Sequence, residues 1–143
     1  MARDIKVRLS EMIVLSSFGF MPNQSHTMVI DGVWRMESRV RNGEAIPLTG
    51  VLFMMAGRWS TLYFIPQPGA NEYWGSAESG RYDLMGDQIT FYHVFTFQGG
   101  GEKELLIDLA STTVEICKIV LTPEILKIHF PSGNVIHCRR YSE

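Results

Sequence analysis

One histidine lies in the middle of an aromatic row. In residues 81–97, RYDLMGDQITFYHVFTF, His93 alternates with Phe91 and Phe95. An imidazole titrates near neutrality and can both take and give a proton. Burial among aromatic rings disfavours its charged form, so the sequence predicts a neutral imidazole serving as base or hydrogen-bond donor. Tyr82 and Glu78 share a parity with Leu84, before the Gly86-Asp87 turn. Pairing back from that turn sets Leu84 near Ile89 and Tyr82 near Phe91, so Tyr82 stands one step from His93 on the same face. Glu78 falls farther along that wall. A histidine, a tyrosine and a carboxylate in an apolar pocket suffice for proton transfer in an enolisation or ring closure. His93 and Tyr82 would move or share protons, and Glu78 would orient them. The alternative is structural: a core histidine satisfied by a neighbouring hydroxyl or carbonyl, with Glu78 solvated at a rim.

These groups need a rigid support. After the turn, Ile89, Phe91, His93, Phe95 and Phe97 fall on one face and Thr90, Tyr92, Val94 and Thr96 on the other, the period-two pattern of a half-buried strand. Earlier, Val29 to Arg41 reads as a strand with Trp34, Met36, Ser38 and Val40 inside. Arg35, Glu37, Arg39 and Arg41 form its wet side. Asn42-Gly43 is a strong hairpin signal. Val51–Met55 and Arg58–Ile65 flank an Ala56-Gly57 turn, and Trp59, Thr61, Tyr63 and Ile65 share a face. Glu72 to Gly75 reads as a loop bearing Tyr73 and Trp74. Residues 102–109 form a short strand or an irregular stretch. Thr112–Leu121, Ile125–Phe130 and Val135–Tyr141 are the last strands. In Thr112–Leu121, Glu115, Cys117, Ile119 and Leu121 share a face. Strands at this spacing, with hairpin-length links and no long helical pattern, predict an all-β antiparallel fold. An up-and-down barrel of eight or nine strands fits best, because no long crossover is present. A barrel of that size has room for one small ligand.

Composition narrows the function. The chain has 143 residues, net charge −2 and 45% hydrophobic residues, which suits one soluble domain. No broad basic surface for nucleic acid is implied. No apolar run reaches the ~18 residues of a membrane span. Residues 1–27 form an apolar N-terminal flap or lid, and residues 28–143 the barrel. Asp4, Glu11 and a short apolar run argue against a signal peptide. Cys117 and Cys138 lie in separate strands and read as free thiols of a cytoplasmic protein. His26, His93, His129 and His137 show no metal-ligand spacing, and Gly99-Gly100-Gly101 is followed by neither Lys nor a helix. No metal and no nucleotide cofactor is therefore expected.

Gly32-Val33-Trp34 resembles the Gly-x-Trp opening of the first barrel strand in lipocalins. Arg139 or Arg140 then takes the place of the arginine that packs over that tryptophan. Gly50-Val51-Leu52-Phe53, Gly57-Arg58-Trp59-Ser60, Ser79-Gly80-Arg81-Tyr82-Asp83, Gly86-Asp87-Gln88-Ile89-Thr90 and His93-Val94 resemble single-domain lipocalin-like proteins of bacteria and fungi. The resemblance covers about residues 30–141 and implies a calycin-type barrel with an internal cavity. Proteins of this shape include binders of hydrophobic molecules, and some small barrels in biosynthetic pathways look like cofactor-free cyclases or isomerases. The expectation is such a cyclase or isomerase acting on a polyketide- or terpenoid-like molecule. His93, Tyr82 and Glu78 would be the catalytic groups, and Trp59, Tyr63, Trp74, Phe91, Phe95 and Met36 the ligand-binding wall. The alternative is a carrier without chemistry. A homodimer through Tyr92 and Val94, or through Leu62 and Phe64, is also open.

Overall fold

The computed structural model describes residues 29–67, 73–101 and 103–142. The expected flap, residues 1–27, lies outside the described residues. Nine strands follow one another: β1 (Gly32–Arg41), β2 (Glu44–Met55), β3 (Arg58–Pro66), β4 (Tyr73–Met85), β5 (Gln88–Gly100), β6 (Lys103–Asp108), β7 (Val114–Leu121), β8 (Ile125–His129) and β9 (Val135–Arg140). Neighbours pair antiparallel in the order β4-β3-β2-β1-β9-β8-β7-β5-β6, and β4 also pairs with β5. That last pairing closes an eight-stranded barrel and leaves β6 as a ninth strand outside the ring. Among the described residues, no helix is long and apolar enough to cross a membrane.

Tight turns make consecutive strands neighbours. Asn42 and Gly43 have φ of 51° and 78°, and Ala56 and Gly57 have φ of 48° and 77°, the left-handed geometry of two-residue hairpins. Ala56 adopts it without glycine's freedom, and its N–H donates to Asp31 Oδ2 at 3.0 Å. β4 begins at Tyr73, so Trp74 belongs to a strand and not to the expected loop. It pairs with Ile65, which brings it to the rim of the barrel.

The alternation of side chains slips twice. Between Met36 and Ser38 the register of β1 shifts against both β2 and β9. Inward residues therefore run Trp34, Met36, then Arg39, which pairs with the buried Ile136. Arg39 thus leaves the expected wet side and enters the barrel. On β5, Gly80 pairs with His93 and Ser79 with Phe95, leaving Val94 as an extra residue. A one-residue bulge exchanges the faces beyond it. Ile89, Phe91 and His93 point in; Phe95 and Phe97 turn to the outer side, and Thr96 takes the inward place opposite Glu78. The single face expected for all five aromatic-row residues is thus broken at Val94.

One end of the barrel is closed. Trp34 is fully buried, and its indole N–H donates to Ile30 O at 2.9 Å. The Arg140 guanidinium lies 4.1 Å from the Trp34 ring centroid. It donates to the carbonyls of Pro123, Asp31 and Val29 at 2.7, 2.8 and 2.5 Å. Arg139 points outward, to Glu37 at 3.1 Å. The Tyr82 hydroxyl donates to Asp31 Oδ1 at 2.6 Å. Residues 29–31 are thereby strapped across the floor.

Arg140→Lys keeps the charge and loses the planar stack and the fork of donors. It is expected to destabilise the protein by about 1–3 kcal/mol, read as a lower urea midpoint at unchanged m-value. Arg139→Lys, which alters an exposed pair, should change stability by less than about 1 kcal/mol.

Candidate functional site

Above that floor the barrel encloses a cavity of about 190 Å³. Its apolar wall is Met36, Leu52, Trp59, Phe91, Phe130, Ile128 and Ile136, and its polar wall is Arg39, Thr61, Tyr63, Glu78, His93, Glu115, Ser132 and Asn134. Parity supplies most of these. Thr61 and Tyr63 continue the inward row of Trp59, Glu78 precedes Gly80 by one inward step, and Glu115 precedes the buried Cys117 and Ile119.

His93 is held at three sides. Its Nε2 lies 2.9 Å from Glu115 Oε2, and its Nδ1 lies 3.7 Å from Glu78 Oε2. The first is a hydrogen bond; the second is too long for one. Glu115 therefore fixes the tautomer of the neutral ring, with the proton on Nε2 and the lone pair on Nδ1. The Trp59 ring stands edge-on, 4.9 Å away between centroids. Gly80, opposite His93, makes room for that arrangement: a Cβ there would meet the Tyr92 carbonyl and approach Trp59 Nε1 to 3.1 Å. Trp59 is fixed in turn by donating Nε1–H to Arg81 O at 3.0 Å.

The electrostatics reverse the expectation for His93. Its pKa is raised from 6.5 by the Glu115 hydrogen bond, with the charges of Glu78 and Glu115 adding and burial only partly opposing. Two carboxylates outweigh desolvation. Glu78 is itself steadied by the Ser76 hydroxyl, which donates to Oε1 at 2.8 Å. Burial, and next the Glu78 charge, push the Tyr63 hydroxyl up to about 12. It keeps its proton at any physiological pH. Burial likewise pushes both thiols, Cys117 and Cys138, up to about 12, and both are free.

The sequence-expected residues separate into groups. His93 and Glu78 come together, and Met36, Trp59, Tyr63 and Phe91 line the same cavity. Tyr82 points inward but lies at the floor, its hydroxyl engaged by Asp31. Trp74 packs near Tyr63, with 6.0 Å between centroids, outside the cavity lining. Phe95 is on the outer side of the bulge. Of the two carboxylates beside the ring, Glu115 is the one within hydrogen-bond distance, and Glu78 stands at 3.7 Å. Sequence parity already set Glu115 on the face of Cys117 and Ile119. Nothing in the pattern revealed Arg39, because the slip in β1 leaves no mark in residue type. Asn134 was hidden in a loop.

Among the described residues, no group of three or more His, Cys, Asp or Glu side chains is arranged to hold a metal ion. No protein-family model matches the chain, and no curated protein matches it either.

The raised His93 pKa has a definite sign. The folded state favours the imidazolium, so its stabilisation is fully present below the ordinary value of 6.5 and is lost as pH rises through the folded value. Glu115→Gln should lower the His93 pKa, read from the imidazole proton shifts in an NMR titration. The stability advantage of the wild type over this variant should be largest on the acid side of 6.5 and shrink as pH climbs.

Proposed function

We propose that the chain is a lipocalin-like, calycin-type barrel that acts as a cofactor-independent cyclase or isomerase on a hydrophobic small molecule. The observation that supports this best is the state of His93. A purely structural buried histidine has both ring nitrogens satisfied. Here one nitrogen is tied to a carboxylate and the other, Nδ1, has no hydrogen-bond partner among the described residues. A carboxylate that orients an imidazole and raises its basicity, leaving the second nitrogen without a hydrogen bond and 3.7 Å from a further carboxylate, Glu78, resembles the arrangement that general-base catalysis uses. The lipocalin-like assignment rests on Gly32-x-Trp34 and on Arg140 stacked over Trp34 at the closed end.

In this reading Nδ1 of neutral His93 takes a proton from the carbon beside a carbonyl. Glu115 stabilises the imidazolium through Nε2–H. The Tyr63 hydroxyl, protonated throughout, donates to the developing enolate oxygen, the role first expected of Tyr82. The imidazolium then returns the proton at a second carbon, which completes an isomerisation, or to the alkoxide oxygen formed when the enolate carbon attacks a second carbonyl and closes a ring. Trp59 and Phe91 hold an apolar ring beside His93. The cavity, about 190 Å³, is below the ~300–1,000 Å³ of drug-sized sites. A compact polyketide- or terpenoid-like molecule, or one arm of a larger one, suits it. The two free buried thiols support a cytoplasmic setting.

Indanone and tetralone, compact aryl ketones with exchangeable α-protons, test the reading. In deuterated buffer the protein should accelerate their α-exchange, followed by NMR. His93→Ala should reduce that rate by about a hundredfold or more, while quenching of tryptophan fluorescence, absent in Trp59→Phe, shows that the ketone still binds. Binding without accelerated exchange in the wild type would make the protein a carrier and end the enzymatic reading.

A further inference from the structure

Among the described residues, Arg39 Nε and Asn134 Oδ1 are the buried side-chain polar atoms left without a hydrogen-bond partner. Both residues line the cavity that holds His93. They arrive from neighbouring elements: Arg39 pairs with Ile136 of β9, and Asn134 immediately precedes that strand. One is an obligate donor and the other an acceptor, yet they do not satisfy each other. Arg39 also forms no ion pair with Glu78 or Glu115, although all three carry charge into one cavity. Its charge and that of Glu78 both act on the Tyr63 hydroxyl. A buried guanidinium nitrogen and a buried amide oxygen kept apart and unpaired lower stability. Both atoms are buried behind the cavity surface in side chains that line it, so a guest that draws either one forward relieves an unpaired group.

We propose that Arg39 and Asn134 form a recognition subsite for a compact hydroxy-carboxylate, the carboxylate accepting from Arg39 and the neighbouring hydroxyl donating to Asn134. This assignment rests on the catalytic reading above and names its substrate class. Carboxylate is the group a guanidinium recognises most specifically, through short charge-assisted bonds. A dianionic phosphate suits the cavity less well, because Glu78 and Glu115 stand in the same walls as the single guanidinium. Those two carboxylates also orient the ligand. They repel its anionic end from the His93 side and leave the Arg39 side as the favourable berth. An aromatic or aliphatic body then rests on Trp59, Phe91 and Phe130, with the carbon beside the carboxylate directed to His93. An enolised oxo acid presents the same pair of groups, a carboxylate with an adjacent hydroxyl.

Mandelate, phenylacetate and mandelamide separate the elements of the proposal. Mandelate carries both groups, phenylacetate lacks the hydroxyl, and mandelamide lacks the charge. By titration calorimetry at low salt, the wild type should bind mandelate at least about tenfold tighter than mandelamide, a difference that one charge-assisted bond supplies. Arg39→Gln should abolish that preference. Asn134→Ala should abolish the smaller preference for mandelate over phenylacetate and leave the charge preference intact. Arg39→Met, measured without ligand, should melt no lower than the wild type, since it removes an unpaired buried group. Equal binding of mandelate and mandelamide, failure of all three to bind at millimolar concentration, or a preference that survives in Arg39→Gln would overturn the proposal. So would a fall of several degrees in the melting temperature of Arg39→Met, which would give Arg39 a structural role. His93→Ala should keep the preference for mandelate. Absence of accelerated ketone exchange in the wild type, with the mandelate preference present, would reject the catalytic reading alone, and wild-type exchange without the preference would reject the subsite alone.

Discussion

Closure of the ring through β4 and β5 fixes the phase of every strand, and the rest of the molecule depends on that constraint. In an open sheet a strand can slide by one residue at modest cost. In a closed barrel each strand has two partners, and a slip must be absorbed on both sides or compensated by a bulge. This chain slips at two places, on β1 between Met36 and Ser38 and on β5 at Val94. Both slips lie at about the height of the cavity. Below them the alternation is regular and the interior is a packed layer of Trp34, Met54, Ile89, Leu126, Cys117 and Cys138, all essentially without solvent exposure. Above them a cation turns inward on one wall and a phenylalanine turns outward on another. The floor is built by regularity and the cavity by its interruption.

The bulge on β5 also marks where that strand changes partners. Its first half, Gln88–Tyr92, pairs with β7, and its second half, Thr96–Gly100, pairs with β6. Between them the His93 N–H donates to Thr113 O at 2.9 Å, and Ser111 N–H donates to Val94 O at 3.1 Å. The backbone on both sides of His93 is thus held by the segment that leads into Glu115. The two residues of the dyad are positioned by one local set of bonds, which is a rigid way to hold a 2.9 Å contact. β4 and β5 each run 13 residues, while β8 and β9 run 5 and 6. At ~3.3 Å per residue the tall side rises roughly twice as high as the short one. The β8–β9 connection, with Ser132 and Asn134, folds over the low side of the cavity and supplies its last polar groups.

Much of this could be read from residue order. Hairpin signals at Asn42-Gly43 and Gly86-Asp87 and the period-two rows were enough for the barrel, and the lipocalin resemblance implied an arginine over Trp34, but the closed end they help to make was not read from the sequence. The pairing of Leu84 with Ile89 and of Tyr82 with Phe91 follows from counting back from a turn, and it is present. Counting fails beyond a bulge. Neither Glu37-Ser38 nor Val94 carries a proline or glycine to announce a break, so Arg39 read as solvated and Phe95 as buried. The pKa of His93 was misread for a related reason. Aromatic neighbours along its own strand suggested desolvation, but its strongest partner, Glu115, is 22 residues away and enters only through β5–β7 pairing.

The polar groups in the cavity bear on what kind of object the barrel is. A barrel selected only for stability fills its centre with interlocking apolar side chains, as this one does at its floor. One layer higher, four ionisable or charged side chains, Arg39, Glu78, His93 and Glu115, share the lining with Trp59, Phe91 and Phe130. With His93 protonated they sum to zero, so the cavity as a whole carries no excess charge to neutralise. Their pairing is nevertheless incomplete. The imidazole bonds one carboxylate and only approaches the other, and the guanidinium pairs with neither. Neutral in sum but unsatisfied in detail, such a wall gains most from a guest that carries its own donor and acceptor. Local order here holds these polar groups apart instead of pairing them, the kind of local departure from full satisfaction that marks a candidate site.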